Sequence, residues 1–392
     1  MKQDSAEAPS SIRLLQLTAF VSTLDRFAMP PMLVAIALDL DVPLSQVVHA
    51  AGAYFLAYGL MQPVWGMVSD HLGVVRTLRI TLFLSGLATA ASALAGSAFA
   101  LGALRCIAGG FFGAAFPSAL IYIGDTVAAA RRQSQITRLM VGVALGTAAA
   151  SAGAGALAHV SSWRVAFVLT GLAGVGLAIA LARLPEPAVS RRHRSVLAPV
   201  GQALRSRMTV LVLVLAFTEG AVLLGALTLL PPAVEATGVS STVAGGVTAA
   251  YGIAVYLSAH LVGRLSTSQH PSRLIALGGA AALAGCLIMA VSQEPVVGVL
   301  VSLLLGLSWA AMHSSLQTWA TEVLPAARAT VVSLFAGSLF VGSAVAAVLV
   351  ADLAEADRYR EIFLLAAVVT VPLSLLATWG RATWRRPDEE PA

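Results

Sequence analysis

From Leu14 to Leu38 the chain reads LLQLTAFVSTLDRFAMPPMLVAIAL, an apolar run broken near its middle by Asp25 and Arg26. A run of this length can cross the ~30 Å hydrocarbon core of a bilayer as a helix. Ionisable side chains at that depth are costly, so they are expected to meet a partner or a water-filled interior. The rest of the chain has the same character: of its 392 residues 58% are hydrophobic and 11% charged, with a mean hydropathy of +0.85. Soluble domains carry about 25% charged residues. This balance predicts an integral membrane protein. The net charge of +5 comes from arginine, with Lys2 the sole lysine, and no basic block is interleaved with aromatic residues, so no nucleic-acid partner is expected. Cys106 and Cys286 sit in apolar runs without ligand spacing, which predicts neither a disulfide framework nor a metal. The polar start, 1–11, lacks the apolar core and cleavage site of a secretory signal, so the first helix is expected to stay as an anchor.

Apolar runs lie at 12–38, 45–67, 77–96, 98–122, 138–158, 164–184, 208–230, 243–264, 273–292, 295–319, 329–350 and 362–380. They predict an all-α membrane protein of 12 transmembrane helices. The polar stretch 185–207, with Pro185, Pro187 and Pro199, divides it into an N-terminal bundle (1–184), a linker and a C-terminal bundle with a short tail (208–392). Most of the 24 Lys and Arg fall on the side shared by the termini and linker, which predicts cytoplasmic termini in the cell membrane. Sliding the second half back by 197 positions places Tyr251 on Tyr54, Gly263 on Gly66, Arg273 on Arg76 and Glu322 on Asp125. Such a repeat predicts two pseudo-symmetric six-helix bundles with a cavity between them near the midplane.

Between spans two and three stands Gly66-Met-Val-Ser-Asp70-His71-Leu-Gly73-Val-Val-Arg76. Gly66 suits close helix approach, Gly73 a tight turn, and Asp70 with Arg76 a charge pair at the helix ends. Span four adds Leu104-Arg105-Cys-Ile-Ala-Gly109-Gly110-Phe-Phe-Gly113 leading to Asp125, and Trp163-Arg164-Val-Ala-Phe167 precedes span six. Together these resemble the signatures of the major facilitator superfamily over essentially the whole chain. The resemblance implies a cytoplasmic gate in which Asp70 meets the end of helix eleven, in a relay with Arg76 and Asp125. His71 stands where a basic Arg is usual, and the second-half copy has Thr267 at the Asp position. Span five carries Gly142, Gly146, Gly153 and Gly155, a small-residue packing face, without the proline of the superfamily's drug–proton antiporters.

Asp25 lies roughly 20 Å above the start of its span and Arg105 roughly 24 Å above the inner end of span four, at 1.5 Å per residue. Similar depth makes Asp25 the expected partner of Arg105. Arg26 points about 100° away on the helix, toward either the cavity or a neighbouring helix. Pro30-Pro31 predict a kink. Glu219, roughly 17 Å into span seven, is expected to be protonatable, with His313 in span ten and His260 in span eight as further candidates. Tyr54, Tyr58, Gln62, Tyr251, Trp309 and Gln317 are expected to line the cavity and suit amphipathic molecules.

The superfamily resemblance implies a proton-coupled secondary transporter, first of all an exporter of a drug-like or small amphipathic metabolite working by alternating access. Asp25, Arg26, Arg105, Glu219 and His313 would serve proton coupling and substrate. The alternative is an uptake symporter for an organic anion: Asp25-Arg26 also resembles the first-helix Asp-Arg of such symporters, with Arg26 and Arg105 binding a carboxylate. A non-transporting sensor stands further off. No nucleotide loop, HEXXH motif or Ser/His/Asp partnership marks an enzyme. The expected partners are a small-molecule substrate and the bilayer around a monomer, with protons as coupling ion and no other cofactor.

Overall fold

The chain is described by a computed structural model over residues 9–187 and 197–385. Apolar runs long enough to span a bilayer satisfy their backbone internally as helices, and the described residues form twelve long rods joined by short turns. The first half holds α1 (Pro9–Ala28, continuing through a 3-10 turn at Pro30–Met32 into Leu33–Leu40), α2 (Leu44–Leu72), α3 (Val74–Ser92), α4 (Ala98–Phe112 and Ala115–Thr126), α5 (Ala129–Val160) and α6 (Trp163–Ala180). The second holds α7 (Arg207–Glu219, a π turn at Gly220–Leu224, then Gly225–Glu235), α8 (Ser241–Leu265), α9 (Pro271–Val291), α10 (Pro295–Ser308, a π turn at Trp309–His313, then Ser314–Glu322), α11 (Arg328–Glu355) and α12 (Tyr359–Thr383).

Eleven of these are long and apolar enough to cross a membrane. The rod left out is α2, which has the length but carries Gln46, His49, Gln62, Asp70 and His71 along it. The helix starts follow capping chemistry: Ser97 accepts from the Ala100 amide, Ser162 from Arg164 and Ser206 from Thr209, and Pro271 and Pro295 open α9 and α10. Pro30-Pro31 remove amide donors, and the backbone answers with the 3-10 turn. Helix α5 begins at Ala129, well before the expected 138, because its first turns are polar but still helical.

Across the two halves α2 packs on α11 and α5 on α8. Gly52 meets Ala344 and Ala347, Gly59 meets Gly337 and Phe340, Gly155 meets Ser241 and Gly245, and Gly252 meets Ala144 and Ala148. These contacts run from mid-span to the side opposite the linker. Toward the linker side the halves stand apart: Gly66 and Gly263 have nothing within 4 Å of a would-be side chain. The expectation that Gly66 serves close helix approach therefore fails in this conformation, since its end of α2 faces open space. In the α5 glycine face, Gly142 and Gly146 lie against the Gln16 and Phe20 backbone of α1, whereas Gly153 touches nothing and does not belong to the face.

The stretch expected to be a solvated linker is in part ordered. Glu186 accepts the Val75 and Arg76 amides at 3.0 Å each, at the start of α3. This carboxylate lies against Gly73, whose φ of 92° no side-chain-bearing residue adopts easily. Further on, Leu197–Arg205 forms a short helix with Ala203 buried.

Candidate functional site

Helices α1, α3 and α4 bring a closed polar network into the apolar first half. Arg105 donates from Nη1 to both oxygens of Asp25, at 3.1 and 3.2 Å, from Nη2 to Thr89 Oγ1 at 2.8 Å, and from Nε to Ser92 Oγ at 3.1 Å. Thr89 in turn donates to Asp25 Oδ1 at 2.9 Å, and Ser92 to the Ala88 carbonyl at 2.8 Å. Both charged residues are fully buried. Phe167 and Tyr54 lie 4.5 and 5.5 Å from the guanidinium carbon of Arg105. A buried ion pair persists only where extra hydrogen bonds satisfy its remaining donors and lone pairs, and Thr89 and Ser92, one turn apart on α3, supply them. Sequence reasoning missed both. The available signal was their spacing as small polar residues within an apolar helix.

Arg26, one residue on, turns the other way. Its Nη1 donates to Tyr58 OH at 3.3 Å and its Nη2 to Thr23 Oγ1 at 3.4 Å. Its guanidinium carbon lies 4.9 Å from the ring of Phe27 and 5.3 Å from those of Tyr58 and Phe340. No carboxylate forms a salt bridge with it among the described residues. Phe340 belongs to α11, so Arg26 is a half-buried cation without a counter-ion where the two halves meet. A cavity of about 10 Å³, the size of one water molecule, joins it to the network and is lined by Asp25, Arg26, Tyr54 and Arg105. Nothing in the sequence marked Phe340.

In the second half Glu219 and His313 meet, His313 Nδ1 lying 3.1 Å from Glu219 Oε2. Trp309 stacks on His313 with ring centroids 3.9 Å apart and 19° between planes, and Phe335 lies at 5.7 Å. Both residues sit at π turns, Glu219 immediately before one and His313 at the end of the other. Such turns insert an extra residue into the helix and are common at functional sites. Tyr251 is within electrostatic range of both Arg26 and Glu219.

Of the other expected cavity residues, Tyr54, Tyr58 and Gln62 are buried, and Trp309 and Gln317 half-buried. His260 is exposed and bonds the Tyr256 carbonyl of its own helix, away from both pairs. The expected gate turns on Asp70, whose side chain lies outside the described residues; Arg76 and Asp125 are exposed and form no ion pair with one another or with another described residue. The link that sequence reasoning missed at this end is Arg381 donating to Glu322 at 2.7 Å, joining α12 to α10. On the opposite side a cleft of about 650 Å³, bounded by Asp41, Glu235, Glu355 and Asp357, contains none of the expected site residues.

Two six-helix halves, closed on one side and parted on the other around mid-membrane charges, define a membrane transporter. The profile of the Major Facilitator Superfamily matches residues 15–347 and 228–392, and the chain belongs to that family. A 203-residue stretch is 29% identical to the 4-hydroxybenzoate transporter PcaK of Pseudomonas aeruginosa; it covers 49% of this chain and 45% of that protein's length. Among solved structures a point mutant of the nucleoside transporter NupG superposes with a TM-score of 0.79 at 14% identity, over 94% of this chain and 99% of that one. A bacterial homolog of the human lysosomal transporter Spinster gives 0.76 at 17%, over 95% and 97%. The D-xylose–proton symporter gives 0.72 at 15%, over 92% and 96%. At these identities the structural likenesses speak for the fold alone.

Proposed function

We propose that this transporter takes up a small organic anion, of the aromatic monocarboxylate class, together with protons. The observation that carries the proposal is Arg26, a cation without a carboxylate partner at the junction of the halves, ringed by Phe27, Tyr58 and Phe340. A half-buried cation with no carboxylate partner among the described residues favours binding of an anion, and the rings offer apolar faces to a planar body. Arg105 is already saturated by Asp25, so Arg26 is the cation free to serve a substrate. The name of the partial relative, a 4-hydroxybenzoate transporter, points the same way.

Asp25 supplies the proton step in this reading. Protonation removes the charge that holds Arg105, loosening the network of α1, α3 and α4, and the one-water cavity gives the proton a route past Arg26. With the termini and linker in the cytoplasm, as the arginine distribution predicts, the conformation described is open to the cytoplasm. The two halves then rock about the cavity between them, parting the Arg26–Phe340 contact as the far side opens. Export, the first expectation from the sequence, gains no support from the relatives.

The test is uptake into proteoliposomes of radiolabelled 4-hydroxybenzoate, benzoate and a lipophilic cation, with and without an inward proton gradient. Gradient-driven accumulation of the anions, lost in Arg26→Gln, is the expected result. Preferential movement of the lipophilic cation, unaffected by that substitution, would overturn the proposal.

A further inference from the structure

We infer that Glu219 and His313 form a second proton-holding site, with His313 as its water-facing member; the inference rests on the proton coupling proposed above and locates part of it in the second half. Glu219 is 0% exposed, and only one of its two oxygens has a partner. The other, Oε1, is buried without a hydrogen bond among the described residues. A fully desolvated carboxylate with a single hydrogen bond is strongly unfavourable unless a proton neutralises the site. That proton resides either on the carboxyl of Glu219 or on the ring of His313, which then stands as an imidazolium beside the carboxylate.

Among the described residues, no Lys or Arg forms an ion pair with Glu219. Helix α11 presents Leu339 and Gly342 to this part of α7, and α12 carries no charged residue between Ile362 and Gly380. On α8 the buried titratable group is Tyr251, while Tyr256, His260 and Arg264 are exposed, and α1 contributes Arg26, which bears on that same tyrosine. The linker helix running into α7 carries Arg205 at the membrane edge, and on α10 the titratable neighbour is His313 itself.

The order of the two members follows from access. The His313 side chain is 11% exposed and that of Glu219 not at all, so a proton from the open linker side reaches Glu219 through the imidazole. Loading forms one N–H or O–H bond at the pair, and release returns the proton to water by the same route; nothing else is gained or lost. Trp309, stacked on the imidazole, fixes the ring plane, and the π turn brings both residues to the same face of α10.

The pair is also mechanically tied to the anion site. Next to Glu219, Gly220 lies so close to Leu339 that a Cβ would collide with its carbonyl, and Gly342 stands likewise against Phe217. The residue after Leu339 is Phe340, which touches Arg26 and Tyr58 across the junction. A change of charge at Glu219 therefore bears on the one helix that closes over Arg26.

Infrared difference titration of the reconstituted protein tests the site without any substrate. The expected result is a carboxylic-acid carbonyl signal that is missing in Glu219→Gln, altered in His313→Asn and retained in Asp25→Asn. Identical carboxylic-acid and imidazolium signals in wild type and Glu219→Gln across the titration would overturn the inference. His313→Asn leaves Glu219 in place and gives an independent reading should the glutamine variant fold poorly. Proton-gradient-driven uptake of labelled 4-hydroxybenzoate separates this inference from the proposed function. A loss of at least tenfold in Glu219→Gln supports the site, and wild-type coupling in that variant overturns it while leaving Asp25 as the proton carrier. Absence of gradient-driven flux in the wild type itself counts against the proposed function, and the infrared result then decides the pair alone.

Discussion

The guanidinium of Arg26 on α1 lies 5.3 Å from the ring of Phe340 on α11, so a cation of one half rests on an aromatic face of the other. The contact joins two parts that must separate whenever the transporter opens on the side opposite its linker. Removing the ring should therefore shift the balance between conformations. A cation–π contact is worth about 0.5–2 kcal/mol, so Phe340→Ala is expected to raise the population open on the side opposite the linker several-fold. Labelling of a cysteine placed at Ser45, which now bonds Glu355 through its backbone amide at 2.9 Å, measures that shift.

Asp25→Asn leaves Arg105 buried with no counter-ion. Breaking one side of a buried pair costs about 3–5 kcal/mol, and a clear fall in the melting temperature of the purified protein is expected. The double variant Asp25→Leu with Arg105→Met removes both charges and should recover most of that stability while transport stays abolished. Equal melting of the single and double variants would show that the pair carries no such strain.

Neighbouring glycines on α5 should behave differently. Gly155→Ala places a methyl against the Ser241 carbonyl and should weaken the closed seam, lowering thermal stability by about 1–3 kcal/mol as overpacking does. Gly153→Ala has open space around it and should fall within about 0.5 kcal/mol of wild type. Thermal melting of the two variants side by side makes the comparison.

Glu186 caps α3 through two amides. Glu186→Ala should cost about 0.5–2 kcal/mol, the range for losing a helix N-terminal cap, and should speed tryptic cleavage at the linker arginines. Unchanged proteolysis would mean that the two hydrogen bonds do not restrain the crossover.

How much of this was readable beforehand differs from feature to feature. The helices were legible because each span is an apolar run that water and lipid both force into a helix. The meeting of Asp25 with Arg105 followed from depth, since two opposite charges at one height in a bilayer have few other options. Thr89 and Ser92 were not legible as its ligands, because serine and threonine occur throughout these helices, bonded to their own backbone, as at Thr77 and Thr81. The pairing of Glu219 with His313 depends on two π turns, a change of helical register that no apolar period announces. Gly66 misled because a motif glycine indicates permission for close approach, and the conformation decides whether it is used.

The seam that closes the side opposite the linker is built from Gly155, Ser241, Gly245, Gly252, Ala144 and Ala148. On the α5–α8 side, parting these small side chains uncovers backbone and methyl groups, whereas on the α2–α11 side it exposes the faces that Phe55 and Tyr58 share with Phe340. The hydrophobic resistance to opening is therefore lopsided, concentrated on the aromatic contact beside Arg26.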